Sequence, residues 1–336
     1  MIGPGIPGLA SDTIQYDGAM SRTGFYTHTD CRRHDMGHGH PECPQRLSAI
    51  QDRLLSTGVD HGLLEIEAPL ADEEDVLLAH DPRLVDAVNE LNRRIQDEAA
   101  QGGRALAHID PDTAMNEHSW NAAMRSVGAA IAATDAVLKG ELDNAFCAVR
   151  PPGHHATRSR SMGFCIFNSL AIAVMHALER HGLQRVAVID FDVHHGNGTE
   201  DILAGDPRVL MCSTFQHPFY PYCGTEDVAP NMVNVPVPAY TTGTEIRKLM
   251  ATHWFPRLES HRPELIFISA GFDAHREDDL GQLGMTESDY RWITEQLMDV
   301  AHRHCQGRMV SCLEGGYNLS ALGRSVEAHL RALAGL

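Results

Sequence analysis

The chain has 336 residues, 43% of them hydrophobic and 21% charged, a balance typical of globular proteins rather than disordered or fibrous ones. Its 45 Asp and Glu against 27 Lys and Arg give a formal net charge of -18, which would repel a phosphate backbone, so we expect no direct nucleic-acid binding. Neither of the two lysines, Lys139 and Lys248, follows a glycine-rich loop, which excludes a Walker-type phosphate site.

The eight cysteines include no Cys-x-x-Cys pair, and several stand in apolar runs where a thiol packs as a small core residue. This usage favours a reducing compartment, and we predict a cytoplasmic protein. No apolar run is long enough to cross a bilayer, so we expect no membrane association. Residues 1–19, rich in glycine and proline, are predicted to form a flexible extension before a single domain over residues 20–336; the sequence leaves homo-oligomerisation open.

From Met20 onward, short apolar runs alternate with longer stretches of helical period, the pattern of a parallel sheet covered by helices. We predict an α/β fold of three layers, with a mostly parallel central sheet flanked by helices. Met20 is predicted to open the first strand. The other predicted strands are 145–149, 186–190, 208–213, 264–269 and 308–313. The predicted helices are 44–57, 82–98, 118–139, 168–181, 243–260, 286–304 and 320–334.

Polar, glycine-bearing segments follow each of these five later strands. In chain order they read RPPGHH, DFDVHHGNGT, STFQHPFYP, AGFDAH and EGGY. Because the carboxyl ends of parallel strands share one edge of the sheet, we expect these segments to converge on one pocket.

The strongest local pattern places Asp190, Asp192 and His194 at alternate positions of a strand end. Residues two apart in extended backbone face the same side, so a carboxylate and an imidazole at this spacing can hold one metal ion. Asp273 could supply a third ligand and leave an open position for water and substrate, as catalytic zinc sites require. The alternative is an aspartate that caps the next helix, beside a core histidine.

Two further motifs are suited to catalysis. His154 and His155 follow two prolines and could act as a general base and its electrostatic partner, although adjacent histidines in an exposed loop often have no function. In Glu314-Gly-Gly-Tyr317, the glycines allow close approach of the backbone to a ligand, and the tyrosine hydroxyl could stabilise an oxyanion. The alternative for this motif is a strand-to-helix turn followed by a packed aromatic ring.

Together the motifs RPPGHH, GFCIFN, DFDVHHGNGT, SAGFDAH and EGGYN, in this order, resemble the histone deacetylase family of zinc amidohydrolases. The asparagine of HHGNG and the AGFDA segment resemble its class II and bacterial amidohydrolase-like branch, and the similarity runs from about residue 22 to 334. The resemblance implies an arginase-deacetylase type fold. It also implies a zinc ion held by Asp192, His194 and Asp273.

The resemblance implies a reaction in which zinc-bound water attacks an acetamide carbonyl. His155 would be the general base, His154 its electrostatic or acid partner, and Tyr317 the donor to the oxyanion. Asp190 would orient His154 and Asn197 would orient His155.

Members of this family also bind potassium near the zinc. By resemblance, the first potassium would contact Asp190, the Ser213 hydroxyl and the carbonyls of Asp192, His194 and Thr214. A second potassium would rest on carbonyls around Leu203, Asp206, Val209 and Asn231.

The family's acyl-lysine tunnel matches Gly163, Phe164 and Tyr220 here, where Phe-Tyr-Pro-Tyr replaces the usual Phe-Phe-Pro-Gly and makes the rim bulkier. Gly315 is also assigned to substrate binding. Arg46 matches an arginine that lines the family's inner product channel; its alternative role is that of a helix-surface arginine.

Leu280 matches the position at which polyamine-preferring relatives can carry an acidic gatekeeper, so the resemblance favours an acyl-lysine substrate. The neighbouring Glu277, Asp278 and Asp279 nevertheless form a predicted acidic rim that could attract a cationic amine.

The leading hypothesis is therefore a zinc-dependent amidohydrolase that removes acetyl or other acyl groups from acyl-lysine or a small linear amide. Hydrolysis of acetylpolyamines at the same site is the alternative, and an inactive acyl-lysine binding protein is a more distant one. A two-manganese arginase-like site is disfavoured because His195 and Gly196 stand where a further carboxylate is needed. A separate metal site at His34, His38 and His40 is also disfavoured.

Overall fold

The computed structural model describes residues 21–103 and 106–336. The predicted extension, residues 1–19, lies outside the described residues, as does Met20. The strands in the described ranges are β1 (Thr23–Thr27), β2 (Leu63–Glu67), β3 (Ala107–Asp110), β4 (Thr113–Met115), β5 (Asn144–Cys147), β6 (Val186–Asp190), β7 (Val209–Gln216), β8 (Met232–Val237), β9 (Leu265–Ala270) and β10 (Met309–Leu313).

Eight of these strands form one sheet in the order β2-β1-β5-β10-β9-β6-β7-β8. All neighbouring strands in this sheet run parallel. Strands β3 and β4 form a separate antiparallel hairpin. The five later strands predicted from apolar runs are the five neighbouring strands at the centre of the sheet, and the predicted parallel α/β fold is confirmed.

Helices cover both faces of the sheet. Every residue of β5, β6, β7, β9 and β10 is buried, and successive side chains of a strand point to opposite faces, so neither face is open to solvent. The helices are α1 (Thr29–Arg33), α2 (Gln45–Thr57), α3 (Glu73–Val76), α4 (Pro82–Ala100), α5 (Ser119–Leu138), α6 (Ser169–Glu179), α7 (Asn197–Leu203), α8 (Gly243–His253), α9 (Phe255–His261), α10 (Glu287–Cys305) and α11 (Leu319–Ala334), with a short 3-10 helix at Val59–Gly62.

Helix α5 packs on α6 and β5, whereas α11 packs on α10 and α2. Within the described ranges, no helix combines the length and the hydropathy needed to cross a membrane.

Helices α1, α3 and α7 and the β3–β4 hairpin were not predicted from the sequence, and two further features differ from the prediction. The predicted helix over 243–260 is two helices that meet at Trp254, because Pro256 in the first turn of α9 has no N–H to continue the ladder of α8. The edge strands β2 and β8 were not predicted. Their sequences, LLEIE and MVNVPV, mix apolar residues with charged or proline positions, because an edge strand need not be buried on all sides.

Substitution of Gly128 by alanine is expected to destabilise the fold. An added Cβ would lie 2.1 Å from the carbonyl oxygen of Pro69, so the loop before α3 would have to move away from α5. Overpacking of this kind costs roughly 1–3 kcal/mol, whereas helix propensity alone would make alanine stabilising by about 1 kcal/mol. Thermal unfolding of Gly128→Ala should show a lowered Tm; an unchanged or raised Tm would show that the loop moves aside without cost.

Candidate active site

The polar segments that follow the central strands meet at the carboxyl edge of the sheet. Asp192 and His194 lie just beyond β6, and Asp273 lies just beyond β9. Their ligand atoms all lie within 4.8 Å of one another. His194 Nδ1 is 3.0 Å from Asp192 Oδ1 and 3.2 Å from Asp273 Oδ2. The structure thus brings together the three residues that the sequence assigned to one metal ion.

The electrostatics of this cluster suit a divalent cation. Both carboxylates are fully buried, and Asp273 Oδ2 faces His194 Nδ1. Burial and the nearby charge of Asp192 raise the pKa of Asp273 to about 7. Burial lowers the pKa of His194, but hydrogen bonds to Asp192 and Asp273 outweigh it and raise that pKa to about 9. Two buried carboxylates and one imidazole form a donor set that fits zinc.

Backbone groups fix the two carboxylates. Gly315 N donates to Asp192 Oδ2 over 2.8 Å, and Val193 N donates to Asp273 Oδ1 over 2.8 Å. An added Cβ at Gly315 would lie 2.0 Å from Asp273 Oδ2, so no larger residue fits there without movement. The structure therefore places Gly315 against the metal-ligand carboxylates, and its assignment to substrate binding stays a prediction.

The adjacent histidines lie beside this cluster with different partners. His154 Nδ1 is 3.0 Å from Asp190 Oδ2, and His155 Nδ1 is 2.8 Å from Asn197 Oδ1. Burial lowers the pKa of His154, but Asp192 and Asp190 outweigh it and raise that pKa well above its ordinary value. Burial and the nearby His154 lower the pKa of His155 well below its ordinary value. The pKa values of the two adjacent imidazoles are thus shifted in opposite directions.

Glu314 supports the histidine pair, and this role of Glu314 was not predicted from the sequence. Its Oε2 accepts hydrogen bonds from Gly153 N (2.7 Å) and His154 N (3.1 Å), so it fixes the turn that carries both imidazoles. Burial raises the pKa of Glu314 to about 7, against the opposing effect of His154. The signal in the sequence was a carboxylate directly after an apolar strand, but only the glycines and the tyrosine of that motif were interpreted.

Tyr317 lies between an aromatic ring and a buried cation. The ring centres of Phe164 and Tyr317 are 5.8 Å apart in an edge-to-face arrangement, and the Arg46 guanidinium carbon is 5.0 Å from the Tyr317 ring centre. Arg46 also donates to the carbonyls of Gly316 (2.7 Å) and Glu314 (2.5 Å). Arg46 is fully buried, so it is not a surface arginine; it packs behind the turn that carries Tyr317.

The pocket walls predicted from the sequence lie on two sides of the site. Phe164 contacts Tyr317, while the Tyr220 ring lies edge-on to His155 at 5.1 Å. Gly163 has φ +58, and an added Cβ would meet the His155 ring at 2.5 Å. Phe219, which was not assigned to the pocket, stacks on the ring of His194 at 5.4 Å. Aromatic rings thus contact Tyr317, His155 and His194 at the site.

The predicted acidic rim is wrong in part. Asp278 is buried: its Oδ2 accepts from Tyr317 N (2.6 Å) and Asn318 N (2.9 Å), and its Oδ1 from Leu280 N (3.0 Å). Glu277 pairs with Arg324 over 2.8 Å. Asp279 is the exposed carboxylate that remains beside Leu280. Asp278 is therefore a positioning residue for the Tyr317 turn rather than part of a charged surface.

The histidines before Pro41 have other partners than a metal. His34 Nδ1 lies 2.7 Å from Ser119 Oγ, and its Nε2 lies 3.4 Å from Glu42 Oε2. His40 Nε2 lies 3.2 Å from the carbonyl oxygen of Asp112. These contacts support the expectation that this segment holds no second catalytic metal.

The residues assigned to the first potassium ion fit a monovalent cation. Asp190 is in register with Ser213 on β7. The hydroxyl oxygens of Ser213 and Thr214 are buried and have no hydrogen-bond partner among the described residues. Ser213 lies on the same face of the sheet as Asp190, so its unpaired hydroxyl oxygen beside that carboxylate is suited to a hard cation, whereas the adjacent Thr214 side chain points to the other face.

The residues assigned to the second potassium ion contact one another. The side-chain amide of Asn231 donates from Nδ2 to the carbonyls of Leu203 and Asp206, each over 3.1 Å. The Asp206 carbonyl also accepts from Val209 N over 3.1 Å. Two of the four carbonyls thus accept from protein donors in this structure, and the second potassium site implied by the resemblance stays a prediction.

Comparisons with known proteins agree with this geometry. The histone deacetylase domain model matches residues 40–333. A histone deacetylase-like amidohydrolase of Pseudomonas aeruginosa is 37% identical over 287 residues, covering 83% of this chain and 73% of that protein. Polyamine deacetylase HDAC10 of Homo sapiens is 35% identical over 313 residues, covering 88% of this chain and 45% of that protein. The crystal structure of the HDA15 HD domain is similar with a TM-score of 0.85 and 33% identity, covering 94% of this chain and 88% of that one.

A parallel α/β fold with this constellation at its carboxyl edge is that of the deacetylases and amidohydrolases that share the arginase-deacetylase fold. The chain belongs to the histone deacetylase family.

Replacement of Asp278 by asparagine is expected to lower turnover of an acetyl-lysine reporter. Asparagine has one acceptor oxygen instead of two, so its amide group would face a backbone N–H and displace the Tyr317 turn. A small misplacement of a catalytic group costs about 10²-fold in rate, so kcat should fall by roughly 10- to 100-fold with little change in KM.

The control is Asp279→Asn, which makes the same charge change at the exposed neighbour and should leave kcat unchanged. Equal kcat values for the two variants would refute the positioning role. The melting temperature of Asp278→Asn, measured alongside, separates displacement of Tyr317 from general unfolding.

Proposed function

We propose that this chain is a zinc-dependent amidohydrolase that removes an acyl group, acetyl above all, from the side-chain amine of acyl-lysine. The observation that carries the proposal is the convergence of a buried Asp-His-Asp cluster with two histidines of opposite pKa shift. The cluster is a donor set for one divalent cation, and the histidine pair supplies an electrostatic partner and a base beside it.

Asp192, His194 and Asp273 would hold the zinc ion. When bound, zinc lowers the pKa of a coordinated water and polarises the amide carbonyl. The open coordination position that this requires is compatible with a set of three protein ligands.

The histidine tautomers follow from their hydrogen bonds. The Asn197 amide oxygen is an acceptor, so His155 donates from Nδ1 and keeps a lone pair on Nε2 for proton abstraction from water. Asp190 accepts from Nδ1 of His154 and stabilises its cationic form, from which a proton can pass to the leaving amine. Tyr317 would donate its hydroxyl to the oxyanion, and burial keeps that phenol protonated by raising its pKa.

The substrate class follows from the walls of the pocket. Phe164, Tyr220 and Phe219 would pack along the methylene chain of an acyl-lysine, while Gly163 leaves room beside His155. Leu280 and the neutralised Glu277 favour a neutral aliphatic chain at the rim. An acetylpolyamine is the second candidate substrate, because HDAC10, at 35% identity, is named a polyamine deacetylase.

We further propose one potassium ion at Asp190, the Ser213 hydroxyl and the Thr214 carbonyl, where it would satisfy the unpaired Ser213 hydroxyl oxygen. A cytoplasmic location is part of the same proposal. All eight cysteines are free thiols, which supports a reducing compartment.

The catalytic proposal predicts that Tyr317→Phe loses turnover and keeps its metal. Phenylalanine retains the ring contact with Phe164 and removes only the hydroxyl, so an acetyl-lysine peptide should be hydrolysed on the order of 10²–10³-fold more slowly. Zinc content measured by elemental analysis should stay at the parent value. Full activity in this variant would rule out the oxyanion role. A parent protein that binds acetyl-lysine peptides without hydrolysing them would favour the inactive binder instead.

The substrate proposal predicts that Leu280→Glu shifts the substrate preference from acyl-lysine toward acetylpolyamines. A carboxylate at the rim would attract a protonated amine, so the ratio of kcat/KM for acetylputrescine to that for an acetyl-lysine peptide should rise by roughly tenfold or more. Leu280→Gln, which has the same shape without the charge, is the matched control. An acetylputrescine preference already present in the parent protein would overturn the acyl-lysine proposal.

A further inference from the structure

A second group of potential metal ligands lies away from the active site. Asp135 is in the last turns of α5, His176 is in the last turn of α6, and His181 follows the end of α6. We call these three residues the α5–α6 cluster. Soon after these positions the chain enters the first residues of β5 and β6. The cluster therefore lies toward the amino edge of the sheet, opposite the edge that carries Asp192 and His154.

The three side chains converge on one point. Nε2 of His176 is 2.8 Å from Asp135 Oδ1, and Nε2 of His181 is 2.7 Å from the same oxygen. The two imidazole rings are 5.2 Å apart. Ligand atoms from all three residues lie within 4.8 Å of one another. Small movements of the three side chains would therefore place these atoms around one ion.

The surroundings are open enough for an ion to enter. The side chains of Asp135, His176 and His181 are exposed by 32%, 12% and 26%. Both histidines lie at the carboxyl end of α6, where the unpaired carbonyls and the helix dipole favour positive charge. Lys139 Nζ, 3.4 Å from Asp135 Oδ2, opposes a cation, but this lysine is 55% exposed and can turn into solvent.

The donor set selects the kind of ion. Two imidazole nitrogens and one carboxylate suit zinc, nickel or copper, whereas calcium and magnesium prefer all-oxygen sites. We propose that the α5–α6 cluster binds one divalent transition-metal ion, separate from the active-site metal, and that this ion clamps α5 to α6. On binding, each imidazole presents an unprotonated Nε2 to the ion: a neutral ring carries its one proton on Nδ1 instead, and a cationic ring releases its Nε2 proton to solvent. The two Nε2 atoms and the Asp135 carboxylate then coordinate the ion.

The affinity of this site should be moderate. Histidine ligands usually donate their second N–H to an acceptor, and loss of that partner costs about 10- to 100-fold in affinity. Nδ1 of His176 is buried and has no hydrogen-bond partner among the described residues. The site is therefore expected to fill at elevated metal concentration and to release its ion to a chelator before the active site does.

The test uses the full chain without a histidine tag. Metal-stripped protein is dialysed against buffered free zinc, and bound zinc is measured by elemental analysis together with the melting temperature. The parent protein should hold two zinc ions per chain, and His181→Gln should hold one. The further rise in Tm that the parent shows at the higher zinc concentrations should be absent in His181→Gln. His253→Gln, which removes an exposed histidine on α8, is the matched control and should behave as the parent does.

Two zinc ions in His181→Gln, or one in both it and the parent, would overturn the proposal. Asp135→Asn provides a second test, since it removes the shared carboxylate without altering either imidazole. Asp192→Asn distinguishes failure of this proposal from failure of the catalytic proposal. This variant should lose the ion of the active site and keep the ion of the α5–α6 cluster, which His181→Gln loses. Hydrolysis of the acetyl-lysine peptide should be unchanged in His181→Gln.

Discussion

The site depends on the burial of two carboxylates, Asp192 and Asp273, around a single imidazole. Removing a charge from water costs several kcal/mol unless partners replace the lost hydration. Here the partners come from different segments: His194 follows β6, and the N–H groups of Val193 and Gly315 reach across from the loops after β6 and β10. The requirement to stabilise these charges therefore fixes how the loops pack.

A second buried charge network supports the opposite side of the pocket. Glu42 is fully buried between Arg46 and Arg150, and the two arginines also bind backbone carbonyls. Arg150 precedes the turn of His154, and Arg46 packs under the turn of Tyr317. Removal of one partner from such a network costs roughly 3–5 kcal/mol, because the remaining charge is left without compensation. These buried ion pairs thus support the turns that carry His154 and Tyr317.

The parts of the fold and site that could be predicted from the sequence are those determined by local sequence patterns. Central strands are continuous apolar runs because both of their faces are buried, and Asp192 and His194 were paired by the period of two in extended backbone. The role of Asp278 could not be predicted, because an aspartate among acidic neighbours has the pattern of a solvated surface. Only the fold brings the N–H groups of Tyr317 and Asn318 to it.

The same limit applies to residue roles predicted by resemblance to a known family. A resemblance transfers side chains that belong to a motif, but a site built from backbone carbonyls has no sequence signature of its own. The side-chain amide of Asn231 donates to the carbonyls of Leu203 and Asp206, and this contact is visible only in the folded structure. The three proposed metal ligands, Asp192, His194 and Asp273, could be carried over because each is a side chain within a motif, and the structure places them together.

The two edges of the sheet constrain how copies of this chain can associate. Strand β2 exposes Glu65 and Glu67, and the opposite edge strand β8 contains Pro236, which has no N–H to donate. Addition of a strand from a second copy would set acidic side chains close together at one edge and interrupt the hydrogen-bond ladder at the other. Both edges of the sheet therefore disfavour assembly by strand addition.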